Sequence, residues 1–226
     1  MDTFYLVIVA FLFILAISDL VVGVSNDAVN FLNSAVGAKA APLKTIMLVA
    51  ALGIVLGCTF SSGMMEVARK GIFHPEYFYF SEIMIIFLAV MVTDVILLDT
   101  FNSFGMPTST TVSIVFELLG AAVAVSIIKI YSDPNALGIG EYINSGKALL
   151  IIAGILLSVV VAFTSGVIIQ YLSRLLFSFN YDKRLRYFGS IWGGLAIAAI
   201  TYFILIKGAK GSSFMSDDLK DMVKTN

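Results

Sequence analysis

An all-α polytopic membrane protein with about six transmembrane helices is the fold class this sequence predicts, on three observations. Hydrophobic residues make up 59% of the 226 and charged residues only 13%, about half the roughly 25% charged share of a soluble domain. Mean hydropathy is +0.99. The apolar residues also fall into runs of about the 20 residues that cross roughly 30 Å of hydrocarbon as a helix.

The same composition narrows the function classes. A net charge of -1 with scattered basic residues offers no clustered Lys/Arg face, so nucleic acid is not an expected partner. Cys58 is the single cysteine, which rules out an intrachain disulfide and a thiolate metal cluster. The lone histidine, His74, precedes Pro75 and reads as a solvated loop residue. With no nucleophile and base pair and no His-rich metal motif, the chain is not expected to be an enzyme and no cofactor is implied. Met1-Asp2-Thr3 leads straight into apolar residues without a basic signal region, so the first span is expected to be retained.

Residues 4 to 24 form the first span, interrupted by Ser18 and Asp19. A carboxylate at a helix centre costs about 2.5 to 3.5 kcal/mol, so Asp19 either faces protein or water or caps the interface. Directly afterwards comes Val24-Ser25-Asn26-Asp27-Ala28-Val29-Asn30, running on to Gly37. As a helix, this stretch gathers Gly23, Asn26, Asp27, Asn30, Asn33 and Ser34 on one broad face. That face presents oxygen ligands for a hard cation and amide donors for an anion.

Pro42 can start the second span, residues 45 to 63, in which Gly53-Ile54-Val55-Leu56-Gly57 has the small-xxx-small pattern of close helix contacts. Glu66 follows, with Arg69 and Lys70 three and four residues on. It is either half of an exposed ion pair or a site carboxylate. The third span, residues 83 to 101, immerses Asp94 and Asp99, which point in different directions at five-residue spacing. Each is open to lining a wet cavity, meeting a basic partner or holding a proton.

Gly105 and Pro107 then break the helix near 104-111, as a broken or re-entrant segment, ahead of Thr108-Ser109-Thr110-Thr111. Irregular backbone at membrane depth belongs where it is buried in protein or lines a cavity. A helix restarting here turns its free N–H groups and positive dipole end toward the break. Ser109, Thr110 and Thr111 are then either an oxyanion cradle or ordinary helix caps. The fourth span, residues 112 to 131, carries Glu117. A fifth span, 147 to 172, and a sixth, 187 to 206, look like scaffold, separated by a basic loop from Arg174 to Arg186. The positive-inside rule puts that loop in the cytoplasm and both ends outside. Residues 1-210 thus read as one transmembrane domain and 211-226 as a polar tail or the start of a linker.

Three of these stretches resemble, in the right order, the inorganic phosphate transporter (PiT) family of cation-coupled phosphate symporters. Asn26, Asp27, Asn30, Val36 and Gly37 fit the family's G-A-N-D-V-A-N-x-F-x-x-x-V-G motif. Pro107, Ser109, Thr110, Thr111, Ile114 and Val115 fit P-x-S-T-T-H-x-I-V-G. Glu66, Val67, Arg69, Lys70, Gly71 and Ile72 look like the short acidic and basic segment between them. Val24, Val112 and Phe116 depart from the family's glycine, histidine and glycine, and Asp94, Asp99 and Glu117 have no counterpart in its pattern.

The resemblance covers roughly residues 16 to 125 and implies a secondary transporter moving phosphate with Na+ in a plasma or inner membrane. By the same resemblance, Asn26, Ser109, Thr110 and Thr111 bind phosphate, and Asp27, Asn30 and Glu66 bind Na+. Two alternatives stand beside this reading: H+ coupling with Asp94, Asp99 and Glu117 as relay groups, and a membrane interaction or regulatory subunit that does not transport. Family members carry two inverted repeats around a midplane site, an arrangement known among transporters. This chain shows one copy of each motif, so it is expected to be an N-terminal half whose site a second repeat, or a second chain in a homodimer, completes.

Overall fold

The first apolar run does not stop at its polar residues. The helix α1 extends over Thr3–Gly37, through Ser18, Asp19 and the whole Asn26 to Asn30 stretch. Hydroxyls inside it are satisfied without leaving the helix, since Ser18 Oγ donates to the Ile14 carbonyl and Ser25 Oγ to that of Val21, at 3.2 and 2.7 Å. A computed structural model describes residues 3–60 and 71–204. Within them follow α2 (Leu43–Phe60), a 3₁₀ turn (Pro75–Tyr77), α3 (Phe80–Ser103), α4 (Thr110–Ser132), the short α5 (Ile139–Tyr142), α6 (Ser145–Phe177) and α7 (Tyr181–Tyr202). No strand occurs among the described residues beyond one antiparallel bridge between Phe73 and Ile143.

Each of the six expected spans has a helix in its place. Among the described residues, four are long and apolar enough to cross a membrane: Thr3–Ala28 within α1, α3, α4 and α6. The second, α2, is apolar but shorter. The sixth, α7, opens with Asp182, Lys183, Arg184 and Arg186, which lower its hydropathy. The expected basic loop between the last two spans is instead mostly helix. Only 178–180 separate α6 from α7, and the turn needs just one left-handed residue, Asn180 at φ 51°, a conformation that asparagine tolerates. In the same region, the Phe177 and Trp192 rings meet edge to face at 6.1 Å.

The chain divides into two compact units, Met1–Gly53 with Met65–Leu150, and Ile54–Met64 with Ile151–Asn226. In the first, α3 lies between α1 and α4, and α5 packs on the far part of α4. Its apolar core joins Ile86, Val90 and Leu98 of α3 to Val115, Leu118 and Ala122 of α4. Gly23 of α1 faces both neighbours, and a Cβ there would make ordinary van der Waals contact with Thr110 at 3.5 Å and Leu98 at 3.6 Å. The remaining faces of α1, α2 and α6 expose large apolar side chains such as Phe13, Leu52 and Phe163, as helices that face lipid must.

At one end of this unit, two loops pair through His74 N–H to the Tyr142 carbonyl and Asn144 N–H to that of Ile72, each at 2.9 Å. Lys129, in the last turn of α4, reaches into this end. Its ammonium donates to Glu82 at 2.8 Å and to the Tyr77 carbonyl at 2.9 Å, and lies 4.3 Å from the centre of the Tyr79 ring. Burial of this cation is offset by an anion, a carbonyl and π faces together.

Candidate functional site

The break near 104–109 is built by the end of one helix and the start of the next. At the end of α3, Gly105 N–H bonds to the Asn102 carbonyl and Met106 N–H to that of Phe101, at 3.0 and 2.9 Å. This pair of bonds is the Schellman arrangement, whose turning residue must be left-handed. Gly105 supplies it at φ 66°. Pro107, whose ring fixes its own φ, leads on to Ser109, the residue preceding α4, which is extended at φ -108° and ψ 111°. Ser109 makes no side-chain capping bond. The first-turn N–H groups of α4 therefore keep donors that the helix cannot use itself.

The polar face of α1 lies against this break. Asn26 is 3% exposed, and its amide is fully engaged there. Nδ2 donates to Asn102 Oδ1 at 2.8 Å and to the Met106 carbonyl at 3.3 Å, while Oδ1 accepts the Thr108 N–H at 2.8 Å. Asn102 Nδ2 in turn donates to the Val22 carbonyl at 3.0 Å. One turn on, Asn30 Nδ2 donates to the Thr108 carbonyl at 3.3 Å. Asp27 Oδ2 accepts the Thr110 hydroxyl at 2.9 Å. A carboxylate thus stands beside the first residue of α4, where the positive end of the helix dipole favours negative charge.

A second polar group lies deeper between the same three helices. Ser113 Oγ is 2.8 Å from Asp94 Oδ1 and 2.7 Å from Glu117 Oε1. One hydroxyl hydrogen can serve only one of two carboxylates, so the second contact needs a hydrogen from a carboxyl group. Asp19 of α1 lies near Asp94 and Glu117, and the Asp19 Oδ1 and Glu117 Oε2 atoms are buried without a hydrogen-bond partner. Among the described residues, the ion pairs are His74–Glu76 and Lys129–Glu82, so no basic side chain neutralises this trio.

The expected site residues are distributed unevenly over these two groups. Asp27, Asn30, Thr110 and the Ser109 backbone converge at the break, with the Ser109 and Thr111 side chains exposed. Asn26 is at the same place, but both its amide hydrogens are spent within the protein. Asp94 and Glu117 come together through Ser113, whereas Asp99 is exposed on α3 and joins neither group. Glu66 lies outside the described residues. Among those described, no three His, Cys, Asp or Glu side chains are disposed to hold a metal ion.

Sequence reasoning missed Asn102 and Ser113 as site residues. Ser113 could have been found from its four-residue spacing to Glu117, which stacks the two side chains on one helix face. Asn102 had only one sign, an amide in the last turn of an apolar helix just before the break. Of the two readings of Asp19, the structure favours the one facing protein: it lies near Asp94, 75 residues away in sequence.

Comparison with known proteins agrees with these motifs. A model of the phosphate transporter family matches residues 23–224. A protein of Thermococcus kodakarensis that carries the name of a phosphate permease is 26% identical over 84% of this chain and 45% of its own length. Similarly named proteins of Pyrococcus abyssi and Pyrococcus horikoshii are 28% and 29% identical over 87% and 89% of the chain. The chain covers 46% and 48% of their lengths, so it spans about half the length of the curated relatives it matches. No solved structure matches the chain.

Proposed function

The chain belongs to the phosphate transporter family, and from that premise we propose that it carries inorganic phosphate across a plasma or inner membrane by symport with Na+, without enzymatic activity. The observation that carries this reading is the hydrogen bond from Thr110 to Asp27, which brings a carboxylate and a helix N-terminus to one place. Phosphate is held by the first-turn N–H groups of α4 and the Ser109, Thr110 and Thr111 hydroxyls, donors suited to an oxyanion. Na+ takes oxygens from Asp27 and Asn30, with Glu66 completing the set. Carrying an anion inward against the potential is uphill by about 2.3 kcal/mol per charge per 100 mV, and the cation offsets that cost.

The Thr110 to Asp27 bond also suggests how the two ions are coupled. While Thr110 donates to Asp27, its hydrogen is not available to phosphate. A cation on the carboxylate competes for the same oxygen and releases the hydroxyl to turn toward the anion. A second copy of the fold, as a second repeat or a second chain, supplies the other half of the midplane site.

Uptake of radiolabelled phosphate by proteoliposomes, with Na+ or with choline outside, tests the reading. Na+-dependent uptake supports it, and equal uptake in choline overturns Na+ coupling. The position of Ser113 Oγ between Asp94 and Glu117 favours H+ coupling through these carboxylates as a second reading, which choline-insensitive, pH-gradient-driven uptake would support. Absence of any phosphate binding or uptake would favour a regulatory membrane subunit instead.

A further inference from the structure

The geometry points to Asn26 and Asn102 as a positioning pair that sets where α4 begins relative to Asp27, with neither side chain touching the transported anion. Asn26 has two amide hydrogens, and both are committed, to Asn102 Oδ1 and to the Met106 carbonyl. It has no donor left for a phosphate oxygen. Its Oδ1 holds the Thr108 N–H, two residues ahead of the first residue of α4. The Asn26 side chain therefore bonds the break at two points of its backbone, Met106 and Thr108, and ties both to α1.

Asn102 keeps that arrangement in register. Its own backbone carbonyl takes the Gly105 N–H in the turn that ends α3, while its side chain bridges Asn26 and the Val22 carbonyl. The end of α3, the extended residues and α1 are thereby joined through one amide. Because Asn26 is 3% exposed, a polar group left unpaired there when either partner is lost carries its desolvation cost. The consequence is felt two residues on, where Thr110 meets Asp27 at 2.9 Å. Without the pair, the N-terminus of α4 is free to slide from the carboxylate, and both ions lose the geometry they share.

This inference rests on the reading that the α4 N-terminus takes phosphate, and its test separates the two. In the intact protein in proteoliposomes, phosphate KM and kcat are measured for Asn26→Ala, Asn102→Ala and the double variant. Each single change is expected to raise KM about tenfold, and the double change also about tenfold, because residues of one network do not lose energy twice. A double loss near a hundredfold would make Asn26 an independent phosphate ligand and overturn the pairing. If Asn102→Ala does not fold, Asn102→Asp, which keeps the acceptor for Asn26 and removes the donor to Val22, takes its place in the cycle.

A phosphate-free measurement accompanies it: a nitroxide on Met106→Cys in a Cys58→Ser background. Its spectrum is expected to narrow in each single variant and no further in the double. Unchanged mobility in Asn102→Ala overturns the pairing whatever phosphate does. A narrowing pattern in a protein that moves no phosphate leaves the pairing standing and overturns the transport reading.

Discussion

Thr110 Oγ1 donates to Asp27 Oδ2 across 2.9 Å although the two residues are 83 apart in the chain. The bond links the polar turn of α1 to the first residue of α4, and it makes the carboxylate answerable to the hydroxyl and the hydroxyl to whatever binds the carboxylate. Replacing Asp27 by Asn keeps an oxygen to accept the Thr110 hydrogen and removes only the charge. Cation-dependent phosphate uptake is expected to fall at least about 100-fold, the scale of a lost charge-assisted contact of about 3 kcal/mol. Thermal unfolding in detergent should change little. Retained Na+-driven uptake in Asp27→Asn would remove the carboxylate from the cation site.

Thr110→Val keeps the shape of the side chain and deletes the hydroxyl. If the hydroxyl passes between Asp27 and phosphate, the variant binds phosphate about tenfold more weakly, the effect of about 1.4 kcal/mol. Its phosphate KM should also depend less steeply on Na+ concentration. Thr110→Ser should restore both. A wild-type Na+ dependence in Thr110→Val would show that the ions are coupled by another route.

Ser113→Ala separates the two coupling ions. Under Na+ coupling at Asp27, a change at Ser113 leaves the Na+ dependence of uptake intact. Under H+ coupling, removing the hydroxyl between Asp94 and Glu117 alters the pH profile of uptake, and Glu117→Gln abolishes pH-gradient-driven transport. Uptake at fixed Na+ across a pH series distinguishes these outcomes.

Gly105→Ala tests the turn alone. A Cβ at this position meets no atom within 4 Å, so any cost is that of the left-handed backbone, about 1 to 2 kcal/mol for a residue other than glycine. A lowered unfolding temperature is expected, with Gly105→Asn affected less because asparagine visits this region more readily. Equal stability of Gly105→Ala and the parent protein would mean that the turn relaxes.

Lys129→Met retains the apolar stem and removes the ammonium, leaving the Glu82 carboxylate with the Tyr79 N–H at 2.7 Å. The Lys129 and Glu82 side chains are 13% and 21% exposed, so breaking the pair is expected to cost about 2 to 3 kcal/mol, somewhat below the range for fully buried pairs. Lys129→Met with Glu82→Gln should recover part of it. The four unfolding curves form the cycle that measures this.

Composition and apolar runs were sufficient for the helices, because a segment crossing hydrocarbon must satisfy its own backbone and so declares itself locally. Gly105 and Pro107 likewise announced the break, since each acts on its own dihedral angles. The charged start of α7 was harder to read: Lys183, Arg184 and Arg186 suggest a loop by polarity, yet arginine and lysine are good helix formers and one left-handed asparagine suffices to turn the chain.

The site divides along the same line. By itself the sequence determined that Asn26, Asp27 and Asn30 share a helix face and that Ser109, Thr110 and Thr111 follow a helix break just ahead of the next span, since periodicity and backbone chemistry act over a few residues. Only the tertiary structure decided that Asp27 meets Thr110, that Asn26 spends its amide on Asn102 and the Met106 to Thr108 backbone, and that Asp94 finds Ser113, Glu117 and Asp19 while Asp99 is left exposed. Those choices depend on how α1, α3 and α4 are turned about their axes when they pack, and a hydrogen bond between side chains on different helices leaves no periodic trace in either helix.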